Sequence, residues 1–401
     1  MRSANDMAAT SKSPRSILLT GYLVGKLALP DYAHKFSPKT YTQPQLFACL
    51  VLKEFLQRDY RGIEALLKDT PELAAVIELK SVPDFTTLQK AADRLLVSVE
   101  AGRLLDLTIR LGKFVGKLNS KAPLAAMDGT GLESRHASAY YVRRKAKGGK
   151  SEQKLTYQRF PKAGLVCDCQ SHLILAVVPH RGPGPDITHF RKAFDQAHRR
   201  LRFTTLAADA GYDAERTHVY ARSRGVRTLI PPLIGRPTAK PPAGYWRRTM
   251  LRVLPRSRYG QRWQSETVNS MLKRHLGSAL RARTYWSQCR ETILRALTLN
   301  VMILRRWQVF DRAGHSAFPS ISRMSPFLLQ IRTLPMIPSN GVSPMQSLAL
   351  LIVATALYGQ APSELSETRG VQAKDDAKRR ESGNDYRHAD TWQNRQLRRV
   401  R

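Results

Sequence analysis

The most regular alternation of apolar and polar positions lies late in the chain, between Pro255 and Gly277. Wound at about 100° per residue, Val268, Met271, Leu272 and Leu276 form one apolar side. Tyr259, Arg262, Glu266 and Lys273 fall within about 60° of one another on the other side. The spacing predicts one amphipathic helix, opened by Pro255 and Ser257 and stopped by Gly277. Earlier, Leu46, Leu50, Phe55 and Leu56 give one helical stripe, and Tyr60, Ile63, Leu66 and Leu67 give another. Thr70-Pro71 breaks the pattern. Ser81-Val82-Pro83-Asp84 then leads into a helix through Leu88, Ala92, Leu95 and Leu96, with more helix to about Leu118. Two readings of this helical front end stay open: a helix-turn-helix DNA reader, or a packing and dimerisation module.

Near residue 120 the period changes. Pro123–Met127 is an apolar run that fits a buried strand, ending in Asp128-Gly129-Thr130-Gly131. Gly164–Cys169 and Leu173–Val178 read as a hairpin. Asp186 is placed as the N-cap of a helix running through Phe190 and Phe194 to about His198. Thr204–Ala208 is a further short strand, ending in Asp209. Asp213 is placed as the cap of a helix over Ala214–Arg224, which leaves Asp209 without a structural duty. Thr228–Pro231 is a last strand, and residues 231–244 form a linker rich in Pro and Gly. Arg281 to Trp307 carries one more amphipathic helix, through Ile293, Leu297, Val301 and Leu304. The expected architecture is α/β: a mixed sheet flanked by helices, with carboxylates from the first and fourth strands and from the late helix converging at one sheet edge. Residues 1–118 form the helical N-terminal region and 119–310 the mixed-sheet domain. Residues 1–15 read as a loose start, Arg143–Lys154 as a mobile basic loop, and 311–401 as a low-order basic tail.

Charge narrows the partner. Of 401 residues, 66 are Lys or Arg and 31 are Asp or Glu, a formal net charge of +35. Such an excess implies a polyanion, because clustered phosphates offset the repulsion among the cations. No run of about twenty apolar residues is present, so no transmembrane helix and no membrane partner are expected. Cys49, Cys167, Cys169 and Cys289 do not make a zinc spacing and read as reduced thiols of a cytoplasmic, nucleoid-associated protein. No phosphate-binding glycine loop appears.

Glu266 is the only acid between Glu215 and Glu291, in a stretch crowded with Arg and Lys. It is either the i, i+4 ion-pair partner of Arg262 or one of the converging carboxylates. Three carboxylates in one place repel one another, and a pair of divalent cations about 3.5–4 Å apart removes that penalty. Hard oxygen donors suit Mg²⁺ or Mn²⁺ far better than zinc. The matching chemistry is in-line displacement at a phosphodiester.

Three segments together carry a resemblance: Ala-Met-Asp128-Gly-Thr-Gly, Ala-Ala-Asp209-Ala-Gly-Tyr-Asp, and the set Tyr259, Arg262, Glu266 and Lys273. Residues of about 40–307 resemble bacterial insertion-sequence transposases of the DDE type, in the group that carries a tyrosine–arginine–glutamate–lysine signature. The resemblance implies a ribonuclease H-like fold and a catalytic triad of Asp128, Asp209 and Glu266 holding two Mg²⁺ or Mn²⁺ ions. It also implies that Tyr259, Arg262 and Lys273 contact DNA. The implied partners are double-stranded DNA, at the element's terminal inverted repeats and at the target, and a second copy in the synaptic complex. Only 56 residues separate Asp209 from Glu266, so the large β insertion of some relatives looks absent. A catalytically inactive DNA-binding descendant and a ribonuclease H-like nuclease without strand transfer are the alternatives.

Overall fold

The computed structural model describes residues 12–134, 160–182, 184–234 and 241–306. The expected loose start is outside the described residues over 1–11, as are the basic loop Arg143–Lys154 and the tail 311–401. The helical front end comprises α1 (Pro14–Ala28), α2 (Gln43–Phe55), α3 (Tyr60–Asp69), the short α4 (Pro71–Ala75), α5 (Phe85–Leu95) and α6 (Ser98–Phe114). α1 was not anticipated from the sequence; Ile17, Leu18, Tyr22, Leu23 and Val24 bury it. Thr42 and Gln45 form a reciprocal capping box at the start of α2, which satisfies amide donors that the first turn cannot pair internally. Every residue of α2 from Gln43 to Glu54 is buried. It offers no face to a DNA groove and serves packing.

Five strands make the central sheet: β2 (Ala125–Gly131), β4 (Phe160–Asp168), β5 (Ile174–Gly182), β7 (Thr205–Ala208) and β8 (Arg227–Leu229). Their spatial order is β5-β4-β2-β7-β8. β2 pairs antiparallel with β4, and β4 with β5. On the other side β2 pairs parallel with β7, and β7 with β8. Parallel neighbours require crossovers, here supplied by α7 (Phe190–Arg200) and α8 (Glu215–Arg222). The first strand thus lies at the centre, an antiparallel hairpin on one side and two parallel strands on the other, which is the ribonuclease H-like mixed arrangement. Two-residue ladders join β1 (Lys121–Ala122) to β6 (Arg202–Phe203) and β3 (Glu133–Ser134) to β9 (Ala279–Leu280). Four helices complete the fold: α9 (Tyr245–Val253), α10 (Arg256–Gly260), α11 (Trp263–Leu276) and α12 (Tyr285–Arg306). One buried core runs from Ile17 and Leu18 through the sheet to Val301 and Leu304.

Three local expectations are corrected. Asp186 opens a 3₁₀ turn over Asp186–His189 instead of capping α7; its carboxylate goes to Lys162 at 2.6 Å. Asp213 does not cap α8, whose N-cap is Ala214. Its oxygens instead take Arg247 Nε at 3.0 and 2.8 Å. α9 itself was missed, because its start is capped from far along the chain: Glu215 accepts from the Trp246 and Arg247 amides. The expected single helix over 255–277 is also two. Gly260 ends α10, and i+3 bonds from Arg262 N to Tyr259 O and from Ser265 N to Arg262 O turn the chain before α11. Glycine gains little from helical confinement, so the break falls there.

α12 fixes where α11 ends. Arg295 donates to Glu54 of α2 at 2.8 Å, to Glu291 at 3.0 Å, and to the carbonyls of Gly277 and Ala279. Five donors in a planar fork suit such a junction. Asn300 ties the same helix to edge strand β5, accepting from Ile174 N at 2.9 Å and donating to Ile174 O at 3.0 Å.

Candidate active site

Strand register places the first two carboxylates. β2 and β7 align as Ala125 with Leu206, Ala126 with Ala207 and Met127 with Ala208. β7 stops at Ala208, so the next step along both chains is Asp128 beside Asp209. Asp128 is not at the end of its own strand, as expected, but in its middle, since β2 continues to Gly131 along β4. What ends there is the parallel neighbour, and the crevice beyond a parallel strand's carboxyl end is where open α/β sheets place ligands.

Asp128 is held at both oxygens. Oδ1 accepts from Gly129 N at 2.9 Å and Oδ2 from Asn269 Nδ2 at 2.9 Å. Burial pushes its carboxyl up to about 6, with Asp209 and Asp186 adding to the rise and the Gly129 amide and Arg262 opposing it. Asp209 does have a local duty: its Oδ1 accepts from Gly211 N at 3.0 Å and starts the 3₁₀ turn Ala210–Tyr212. Asp186 presses on the same place. A Cβ at Gly129 would lie 2.3 Å from its Oδ1, so any side chain at 129 would have to displace the Asp186 carboxylate. Lys162, opposite Gly131 in the β2–β4 register, supplies the countercharge to Asp186.

The helical residues are arranged differently. Glu266 lies in the first turn of α11 and accepts from Arg262 Nη2. Its side chain is 56% exposed. Burial opposes the charge on Arg262, but the hydrogen bond and charge of Glu266 outweigh it and raise its pKa, with Asp128 contributing in the same sense. Tyr259 belongs to α10, not to the helix of Glu266, and its ring packs against Leu124, Ala207 and Leu229. Lys273 sits in the last turn of α11, with no carboxylate partner among the described residues.

The structure therefore brings Asp128 and Asp209 together and sets Arg262 within electrostatic reach of them. It leaves Glu266 on Arg262, and Glu266 is not among the charges that act most on Asp128. Among the described residues no group of three or more His, Cys, Asp or Glu side chains is close enough to hold a metal ion. The donor chemistry nonetheless suits a hard cation. Asp128 and Asp209 are oxygen donors whose mutual repulsion a cation would remove. Beside them the buried Oδ1 of Asn269 has no hydrogen-bond partner.

Two participants escaped the sequence reading. Asn269 lies three residues after Glu266 and stands as a polar residue between Val268 and Leu272 on the buried side of α11; that misfit was its only signal. Asp186 looked like a helix cap.

Residues 119–301 match the family model of the transposase DDE domain. No curated protein sequence matches the chain. Among solved structures, the chain is similar to a piggyBac transposase synaptic complex with hairpin DNA, at 10% identity over 89% of this chain and 92% of that one, with a TM-score of 0.36. It is also similar to a Mos1 mariner paired end complex with Mn, at 12% identity over 53% of this chain and 65% of that one, with a TM-score of 0.19. A pre-cleavage Mos1 transpososome overlaps at 10% identity over 67% and 80%, with a TM-score of 0.16. Structural likeness this weak carries nothing about the site, and the family match stands by itself: residues 119–301 of this chain, somewhat under half of it, are similar to the transposase DDE domain.

Proposed function

We propose that this protein is a transposase that cuts DNA at the ends of its insertion sequence and joins the freed 3′-hydroxyls to target DNA. The observation that carries the reading is the pairing of Asp128 and Asp209 past the end of β7, inside a domain of the transposase DDE family. Asp128, Asp209 and Glu266 would hold two Mg²⁺ or Mn²⁺ ions. Such ions, when bound, activate the attacking oxygen and stabilise the leaving one. The chain's own residues hold the ligand in place: the Gly129 amide and Asn269 fix the Asp128 carboxylate. Arg262 and Lys273, with Tyr259, are the contacts proposed for the DNA backbone. Cations there position the duplex without reading its sequence. Two ends must be joined, so a dimer is the expected working unit, and double-stranded DNA is the partner.

Asp128→Asn, Asp209→Asn and Glu266→Gln are each expected to abolish Mg²⁺-dependent cutting of a labelled element end while gel-shift binding of that end persists. Retained cutting by any of the three would refute the assignment. Supplying a target plasmid separates strand transfer from simple nuclease action, since only a transposase gives joined products. The engagement of Glu266 by Arg262 favours one second reading, a DNA-binding protein that no longer cuts. Gel shifts with no cleavage by the wild type would establish it.

A further inference from the structure

We infer that Asn269 is a positioning residue of the cation site, holding the Asp128 carboxylate in its ion-receiving orientation. The inference rests on the reading of Asp128 as a cation ligand. Asn269 is only 9% exposed, on the face of α11 that packs against the sheet. An amide at such a place costs stability unless both its polar ends are satisfied. Only one is. Nδ2 donates to Asp128 Oδ2 at 2.9 Å, while Oδ1 is buried and unpartnered. A residue selected for packing alone would be better served by leucine, which its neighbours Val268 and Leu272 show the site accepts on either side.

The geometry explains what the amide does. Gly129 N claims Asp128 Oδ1 and Asn269 claims Oδ2, so the carboxylate plane is fixed from two elements, one strand and one helix. Asn269 also links the two halves of the site. Glu266 precedes it by three residues, close to one helical turn, so any shift of α11 that frees Glu266 from Arg262 is registered against Asp128 through this bond. Its free Oδ1 is an additional hard oxygen beside the carboxylates. Groups that orient a metal's ligands from behind are typically worth about 10–100-fold in affinity.

The test is Mn²⁺ binding to the full-length, DNA-free protein, followed by the loss of the free Mn²⁺ signal in electron paramagnetic resonance. Asn269→Leu is expected to weaken binding by about tenfold or more, and Asn269→Gln, which keeps the amide donor, to recover most of it. Thermal melting separates the alternatives. A packing role predicts lower stability with unchanged Mn²⁺ affinity, whereas the positioning role predicts retained stability with weaker binding. If Asn269→Leu does not fold, Asn269→Ala carries the same comparison. Wild-type affinity in the folded variants would overturn the inference. Asp128→Asn is the control: if it loses Mn²⁺ while Asn269→Leu and Asn269→Ala do not, this inference fails alone. If the wild type binds no Mn²⁺, the cation reading of Asp128 fails with it.

Discussion

Asp128 with Asp209, and Glu266 with Arg262, are two halves of one candidate site built in opposite ways. The strand half is set by backbone register. Its two carboxylates belong to the residues one step beyond the paired Met127 and Ala208. Burial of Asp128 raises its carboxyl, and the charge of Asp209 adds to that rise. The helix half is set by side-chain pairing at a more open surface, where Glu266 is satisfied by its own helix neighbour. The sheet thus brings like charges together, whereas the helix is free to keep them apart. An added cation would reverse the second arrangement and relax the first.

The largest effect expected from this contrast is on stability against pH. Asp128 titrates at about 6 in the fold against an ordinary 3.8. The native state therefore holds a proton that the unfolded state has lost between those values, and stability from this group, full below about 4, is lost as pH rises through about 6. Asp128→Asn removes that loss. Its melting temperature in metal-free buffer is expected to gain on the wild type between pH 4 and 7, by the equivalent of up to about 3 kcal/mol. A constant difference across that range would show that burial does not raise the Asp128 carboxyl. A smaller effect separates the halves directly. In a carbon-detected titration of labelled aspartate, Asp209→Asn is expected to lower the Asp128 midpoint. Glu266→Gln is expected to leave it in place. Equal shifts from the two variants would mean that Glu266 already shares the site.

The legibility of these halves in the sequence follows the same division. The strand leading into Asp128 and the strand end before Asp209 could be read from apolar runs, because a run of buried residues is a local property; that β2 continues to Gly131 could not, because its partner there is β4. α2, α3 and α5 of the front end were legible for the same reason: Thr42, Asp59 and Asp84 cap them from adjacent positions. Apart from α1, which Ser13 caps locally, the missed features depended on distant partners. α9 is started by Glu215, Asp213 is occupied by Arg247, and Asp186 is turned to Lys162. The expected continuous helix over 255–277 placed Tyr259 beside Glu266 by angle alone, and the break after Gly260 removes that geometry. Asn269 was invisible because its role exists only once α11 packs on β2. The match in spacing of Tyr259, Arg262, Glu266 and Lys273 thus rests on family pattern and not on one shared helical face.

The most direct test of the central claim is the anomalous map of a crystal of the wild-type protein soaked in Mn²⁺. A peak touching Asp128 and Asp209 is expected, with Glu266 released from Arg262 and turned onto the same ion cluster. An ion bound at the aspartate pair while Glu266 stays on Arg262, or no ion there at all, would contradict it.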